Sequence, residues 1–181
     1  MIQLILGGAR SGKSRLAEQF AQTSPFEVTY IATAEAWDAE MQSRIEHHQK
    51  QRPMDWTVIE EPIYLANILE KIDQPHHVIL VDCLTLWMTN LLLKQDENSQ
   101  NVENDELQIQ ECEKLLKILP TLQAHIILVS NETGLGVIPI GEISRKFVDE
   151  SGRLHQQLGK IADQVIFCVA GFPMYLKGEK Q

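Results

Sequence analysis

Apolar residues are distributed along this chain in two alternating rhythms. Short, nearly continuous apolar runs occupy Ile2–Leu6, Val28–Ala32, Trp56–Glu60, His77–Asp82, Ile126–Ser130 and Gln164–Val169. Runs without an in-and-out alternation suit strands covered on both faces, as in a parallel sheet. Between them lie amphipathic segments of helical length at Lys13–Gln22, Ala39–Gln51, Ile63–Ile72, Leu84–Leu93, Asp105–Leu119 and Glu142–Ile161. This alternation predicts an α/β fold, a doubly wound, mostly parallel sheet flanked by helices, with ligands at the carboxyl ends of the strands. No internal repeat and no second domain are visible, so residues 1–181 read as one domain. The polar stretch at residues 94–104 reads as an exposed excursion rather than a linker, because the strand at Ile126 is still needed to complete the sheet.

The first apolar run leads directly into Gly7-Gly8-Ala9-Arg10-Ser11-Gly12-Lys13-Ser14, and good helix formers follow from Arg15 to Phe20. This is G-x-x-x-x-G-K-S in the strand–loop–helix setting that gives the pattern its meaning. The glycines let backbone N–H groups curl around phosphate oxygens, and the helix N-terminus adds its partial positive charge. Lys13 is placed to reach the terminal phosphates, and the Ser14 hydroxyl to bind Mg²⁺. A glycine-rich surface turn would not account for the flanking strand and helix. The loop predicts binding of a nucleoside triphosphate.

Bulk properties narrow the class. The chain has 181 residues and a formal net charge of −9, enough length for a full core and the wrong sign for nucleic acid as main partner. The richest apolar stretch, Leu84 to Leu93, is broken by Thr85, Thr89 and Asn90, so no membrane span is expected. No basic segment precedes the first apolar run, which argues against a secretory leader. Cys83, Cys112 and Cys168 are odd in number and lack C-x-x-C spacing. They read as small buried apolar residues rather than a disulfide framework or a zinc site. Together these features predict a cytoplasmic enzyme or nucleotide switch.

Further candidates stand at other strand ends. Asp82 closes an apolar strand where P-loop proteins usually place the magnesium-associated carboxylate. Ile126–Ser130 empties into Asn131-Glu132-Thr133-Gly134-Leu135-Gly136-Val137-Ile138-Pro139, a shaped loop in which Glu132 faces the expected crevice. That loop is not N-K-x-D, the guanine-reading signature of switch GTPases. Glu60 can hydrogen-bond a base or ribose, or the Glu60-Glu61-Pro62 run can simply begin the next helix. Asp38 suits the N-cap of a helix that Pro53 stops near Arg52. Within it Arg44, His48 and Arg52 recur every four residues on one face, with Glu40 behind them, while His47 points elsewhere. Arginines beside one imidazole suit anionic phosphates and a nucleophile toward phosphorus. The same spacing also fits a solvated, charge-laced helix. His76-His77 reads as the loop leading into a buried strand.

These pieces coincide in one order. G-G-A-R-S-G-K-S-R is followed by Tyr30-Ile31-Ala32-Thr33-Ala34, by Asp38-x-Glu40-Met41, and by R-I-x-x-H-x-x-x-R-P from Arg44 to Pro53. Trp56 with Glu60, Val81-Asp82-Cys83-Leu84-Thr85, Ser130-Asn131-Glu132-Thr133-Gly134-Leu135-Gly136, and the segment from Arg145-Lys146-Phe147 through Asp149, Gly152 and Arg153 to Gln156 complete the series. Over nearly its whole length the chain resembles the bifunctional adenosylcobinamide kinase / adenosylcobinamide-phosphate guanylyltransferase family. The resemblance implies a RecA-like P-loop fold, a homotrimer, and Mg²⁺ with ATP and GTP as substrates. It implies two reactions on adenosylcobinamide and its phosphate: phosphorylation of the aminopropanol hydroxyl, then GMP transfer from GTP through a guanylyl-histidine. By motif position that histidine is His48, with His47 next to it. The nucleotide-binding set carried over is Gly7 to Ser14, Thr33, Arg44, Gln49, Arg52, Glu60 and Asp82, with Ser14 and Asp82 on the metal. Thr133 and the Val137-Ile138 pair are conservative departures from the pattern.

Two other functions compete. A P-loop small-molecule kinase would transfer only the γ-phosphate, without a histidine intermediate. A nucleotide-dependent switch or assembly ATPase would have no small acceptor, and the missing N-K-x-D weighs against its GTPase form.

Overall fold

The computed structural model of the chain describes residues 1–35, 53, 55–94 and 103–179, with side chains from 106 onward in the last stretch. The strands are β1 (Ile2–Gly7), β2 (Glu27–Ala32), β3 (Thr57–Glu60), β4 (His77–Asp82), β5 (His125–Asn131), β6 (Gln164–Val169) and β7 (Phe172–Lys177). The described helices are α1 (Lys13–Thr23), α2 (Leu65–Ile72), α3 (Leu84–Leu93), α4 (Glu103–Ile118) and α5 (Glu142–Ile161). Six strands are the ones the apolar runs predict, each within one residue at either end. The expected helix at Ala39–Gln51, with its cap Asp38, lies outside the described residues, as does most of the 94–104 stretch.

All seven strands form one sheet in the order β3-β2-β4-β5-β1-β6-β7. Every pairing from β3 to β6 is parallel, and β7 alone runs antiparallel against β6. The α/β, mostly parallel sheet is the one expected, and β5 lies between β1, which opens the P-loop, and β4, which ends at Asp82. That intervening strand is the RecA-like arrangement.

The core explains why the strands read as continuous apolar runs. Leu4, Leu6, Ile79, Val81, Ile126 and Leu128 face one side with Trp87, Leu91, Leu115 and Leu158 from the helices. Ile5, Val78, Leu80, Ile127 and Val129 face the other with Ala17 and Ala21 of α1. Both faces of each central strand are dry, so alternation vanishes from the sequence. Two large polar side chains of this interior are paired with carbonyl groups. Trp87 Nε1 donates to the Ile63 carbonyl at 2.8 Å, and Asn90 Nδ2 to those of Thr33 and Pro62 at 2.7 and 3.1 Å.

Two boundaries differ from the sequence reading for local reasons. The second helix starts at Leu65, not Ile63, because Glu61 Oε1 takes the N–H groups of Ile63 and Tyr64 at 3.0 and 2.7 Å and forms a turn ahead of it. Strand β7 was not expected, since Pro173 interrupts its run and its side chains are largely exposed. The proline is tolerated because β7 is the sheet edge. A two-residue turn, Ala170-Gly171, connects β6 to β7 with φ of 51° and 85°, which matches the twist of a tight hairpin.

Candidate active site

The parallel register brings the predicted strand ends to one edge. Gly7 pairs with Asn131, and Ala32 pairs with both Asp82 and Glu60. The P-loop, Asp82, Glu60 and Glu132 therefore open on the same side of the sheet, where ligands bind in open α/β folds.

The P-loop is curled and held from outside. Gly7 has no room for a side chain: a Cβ there would stand 2.5 Å from the Cys168 carbonyl oxygen and 2.5 Å from Ser11 Oγ. Gly12 adopts φ of 94° directly before α1, and a Cβ on it would lie 3.1 Å from Gly171 Cα. The Ser11 carbonyl accepts Gly171 N at 2.8 Å and Cys168 Sγ at 3.1 Å. The β6–β7 hairpin thus braces the loop. Gly8, Ala9 and Arg10 are exposed at the rim, with Arg10 in the left-handed region at φ 56°.

Lys13 begins α1 with its side chain buried, and Nζ donates to the Gly8 carbonyl at 3.2 Å. The ammonium therefore lies folded across the mouth of its own loop, where the terminal phosphates of a nucleotide belong. Ser11 Oγ is buried without a partner among the described residues.

Ser14 in the first turn of α1 and Asp82 at the end of β4 are both half-buried. A hydroxyl and a carboxylate are hard oxygen donors that fit Mg²⁺, which takes its remaining ligands from phosphates and water. No cluster of three or more His, Cys, Asp or Glu able to cage a metal occurs among the described residues.

The other predicted residues fall into three situations. Thr33 is fully buried, and its hydroxyl donates to the Cys83 carbonyl at 2.7 Å while accepting Cys83 N at 2.9 Å. It ties β2 to β4 and keeps the Asp82 end in place. Of the two carboxylates at the end of β3, Glu61 closes the turn ahead of α2, and Glu60 remains exposed at the crevice edge. Arg44, His47, His48, Gln49 and Arg52 lie outside the described residues.

All three cysteines are free and buried, as expected. Burial, and next the Asp82 charge, push the Cys83 thiol up to about 11. It stays protonated at neutral pH and is no nucleophile. His77 begins β4 rather than standing in a loop, and its ring meets Thr29 Oγ1 at 2.9 Å.

One polar group at this edge escaped the sequence reading. His155 of α5 is buried, its Nε2 lies 2.8 Å from Ser130 Oγ, and its Nδ1 lies 3.6 Å from Glu132 Oε2. Burial lowers the pKa of the ring, and the Glu132 charge opposes that shift only in part. The signal was present: Ser151 and His155 sit four residues apart in the stripe where α5 buries Leu154 and Leu158. Polar residues on an apolar face need partners.

The family model described as cobinamide kinase / cobinamide phosphate guanyltransferase matches residues 3–176. A Pseudomonas aeruginosa protein named bifunctional adenosylcobalamin biosynthesis protein CobP is 53% identical over 179 residues, covering 99% of both chains. The Escherichia coli protein named bifunctional adenosylcobalamin biosynthesis protein CobU is 37% identical over 98% of this chain and all of its own length. Among solved structures, a Pyrococcus horikoshii protein aligns over 99% of this chain and 87% of its own with a TM-score of 0.54 at 9% identity. That likeness concerns the fold alone.

Two outcomes follow from the geometry. Gly12→Ala combines a left-handed backbone with a close approach to Gly171, so ATP affinity measured by titration should drop about tenfold or more, the left-handed strain alone costing ~1–2 kcal/mol. An unchanged dissociation constant would mean that the loop is not the phosphate site. Asp82→Asn should raise the Mg²⁺ concentration giving half-maximal rate, whereas an unchanged dependence would leave Asp82 as a strand end only.

Proposed function

The chain belongs to the cobinamide kinase / cobinamide phosphate guanyltransferase family and is a transferase, and we propose that it performs two successive reactions with one nucleotide site. In the first, the aminopropanol hydroxyl of adenosylcobinamide attacks the γ-phosphorus of ATP or GTP. In the second, a neutral imidazole nitrogen of His48 attacks the α-phosphorus of GTP, and the bond to the bridging oxygen breaks with release of pyrophosphate. An oxygen of adenosylcobinamide phosphate then takes the GMP from the histidine, which gives adenosylcobinamide-GDP and regenerates the imidazole.

The observation that carries this reading is the G-x-x-x-x-G-K-S loop, braced in its curl with Lys13 buried at its mouth, in a chain that matches the family from end to end. Loop amides, the α1 N-terminus and Lys13 offset the charge that moves onto the departing oxygens. Ser14 and Asp82 would hold Mg²⁺, which supplies further neutralisation of phosphate charge when bound. Arg44 and Arg52, on the same helix face as His48 by spacing, favour its neutral form by like-charge repulsion and steady the phosphoramidate through charge-assisted hydrogen bonds. Glu60 is positioned to meet a ribose or base, with Thr33 and Gln49 completing the carried-over nucleotide set. A covalent intermediate lets one nucleotide site serve two acceptors in turn. A homotrimer belongs to the proposal, as does a cytoplasmic location, which the three free thiols suit.

Lys13→Ala should lower both activities by a factor of about 10² or more, since both displace a leaving group of the triphosphate. Retention of near-normal rates would remove the triphosphate from this loop. His48→Ala should abolish acid-labile, base-stable label from α-labelled GTP while leaving phosphorylation of adenosylcobinamide largely intact, because γ-phosphoryl transfer needs no protein nucleophile. His47→Ala should keep the label. The reverse pattern would move the nucleophile to His47, and label retained in both variants would reduce the protein to a plain kinase.

A further inference from the structure

The carboxyl end of β5 carries a hydrogen-bond chain that nucleotide binding does not require. Asn131 N donates to Thr85 Oγ1 at 2.7 Å. Thr85 Oγ1 stands 3.4 Å from Ser130 Oγ, and Ser130 Oγ stands 2.8 Å from His155 Nε2. Beyond the ring, Nδ1 faces Glu132 Oε2 at 3.6 Å, longer than a hydrogen bond, and has no partner among the described residues.

The carboxylate opposite the ring sets the direction of donation. The Asn131 N–H donates to Thr85 Oγ1 at the far end. A carboxylate can only accept, so a neutral ring carries its proton on Nδ1, aimed at Glu132, and Nε2 accepts the Ser130 hydroxyl. The buried orphan of the chain is therefore an N–H that points at a carboxylate still partly open to the crevice, with side-chain exposure of 22%. Among the described residues, Glu132 is the charged group that faces this ring.

Glu132 also stands where an acceptor must approach. Its backbone N–H donates to the Gly7 carbonyl at 3.0 Å, so it sits beside the first glycine of the P-loop. Strand β5 separates the strand that opens that loop from the strand that ends at Asp82. A side chain at its end lies between the phosphate cradle and the metal-side carboxylate. Oε1 is fixed by Gly134 N at 2.7 Å. Oε2 faces the imidazole at 3.6 Å, and the carboxylate is partly open to the crevice. One residue earlier, Asn131 Oδ1 is a second buried polar atom without a partner.

We propose that Glu132 is the general base of the kinase reaction and that His155 is its positioning residue. The assignment rests on the kinase half of the proposed function. The hydroxyl oxygen of the acceptor forms the bond to the γ-phosphorus, and the bond from that phosphorus to the β,γ-bridging oxygen breaks. Its electron pair leaves with the nucleoside diphosphate, and the hydroxyl proton passes to Glu132 and then to water. The His155 N–H holds the carboxylate in place as it alternates between anion and acid. Guanylylation of a protein imidazole has no hydroxyl proton to remove, so it needs neither residue.

The test compares steady-state phosphorylation of adenosylcobinamide by ATP with GMP labelling from GTP in one set of preparations. Glu132→Gln keeps the shape and the acceptor for Gly134 N but takes no proton. Its kcat should fall by a factor of about 10²–10³, with the KM for ATP within about threefold and the labelling rate near wild type. His155→Leu should lower kcat about tenfold, and His155→Asn should restore most of it, because its amide nitrogen occupies the place of Nδ1. Wild-type protein that fails to phosphorylate adenosylcobinamide refutes the kinase reading itself. With an active wild type, a Glu132→Gln variant of normal kcat, or one that loses kinase and labelling alike, overturns the base assignment. Equal losses in His155→Leu and His155→Asn, both melting as wild type does, overturn the positioning role. Should either histidine variant fail to fold, Glu132→Gln decides the proposal alone.

Discussion

Everything at this site hangs on a backbone contact between two distant parts of the chain, the Ser11 carbonyl with Gly171 N and Cys168 Sγ at 2.8 and 3.1 Å. A phosphate-binding loop must point its amide N–H groups inward, which turns its carbonyls outward and leaves them in need of donors. The β6–β7 hairpin supplies two of them. The approach is so close that neither Gly7 nor Gly12 can carry a side chain unstrained. An antiparallel hairpin at the sheet edge therefore fixes the curl of the loop, and through it the place of Lys13.

The sheet converts that local constraint into a site. Parallel register aligns the ends of β1, β2, β3, β4 and β5 at one edge, and a second layer of bonds keeps them there. Thr33 links the end of β2 to Cys83, and Asn90 of α3 ties the Thr33 carbonyl to that of Pro62. Glu61 closes the turn into α2, and the Thr85–Ser130–His155 chain joins α3, β5 and α5. The bonds of Thr33, Asn90 and His155 lie in the buried interior, where they are costly to disturb. Glu60 is exposed, Asp82 half-buried and Glu132 partly open at the crevice, and behind Glu132 the Nδ1 of His155 is buried without a partner among the described residues.

What was legible in the sequence follows from how local each feature is. The five inner strands announced themselves because both faces are dry. The P-loop did so because its backbone tolerates few residue types. Strand β7 did not, since Pro173 breaks its run and its fitness for an edge depends on a neighbour more than a hundred residues from the P-loop it braces. The start of α2 moved by two residues because the Glu61 carboxylate holds Ile63 and Tyr64 in a turn ahead of the helix. His155 was passed over for a related reason: an imidazole on a helix gains meaning only when β5 places Ser130 and Glu132 against it. The histidine helix rests on motif spacing and resemblance, since its residues lie outside those the structure describes.

The central claim is that one nucleotide site serves two chemistries. Titration calorimetry with a GTP analogue whose two bridging oxygens are both methylene groups tests it directly, because neither reaction can consume that ligand. The account predicts one analogue bound per chain, displaced competitively by ATP. Two independent sites per chain, or ATP binding that ignores a saturating analogue, would contradict it.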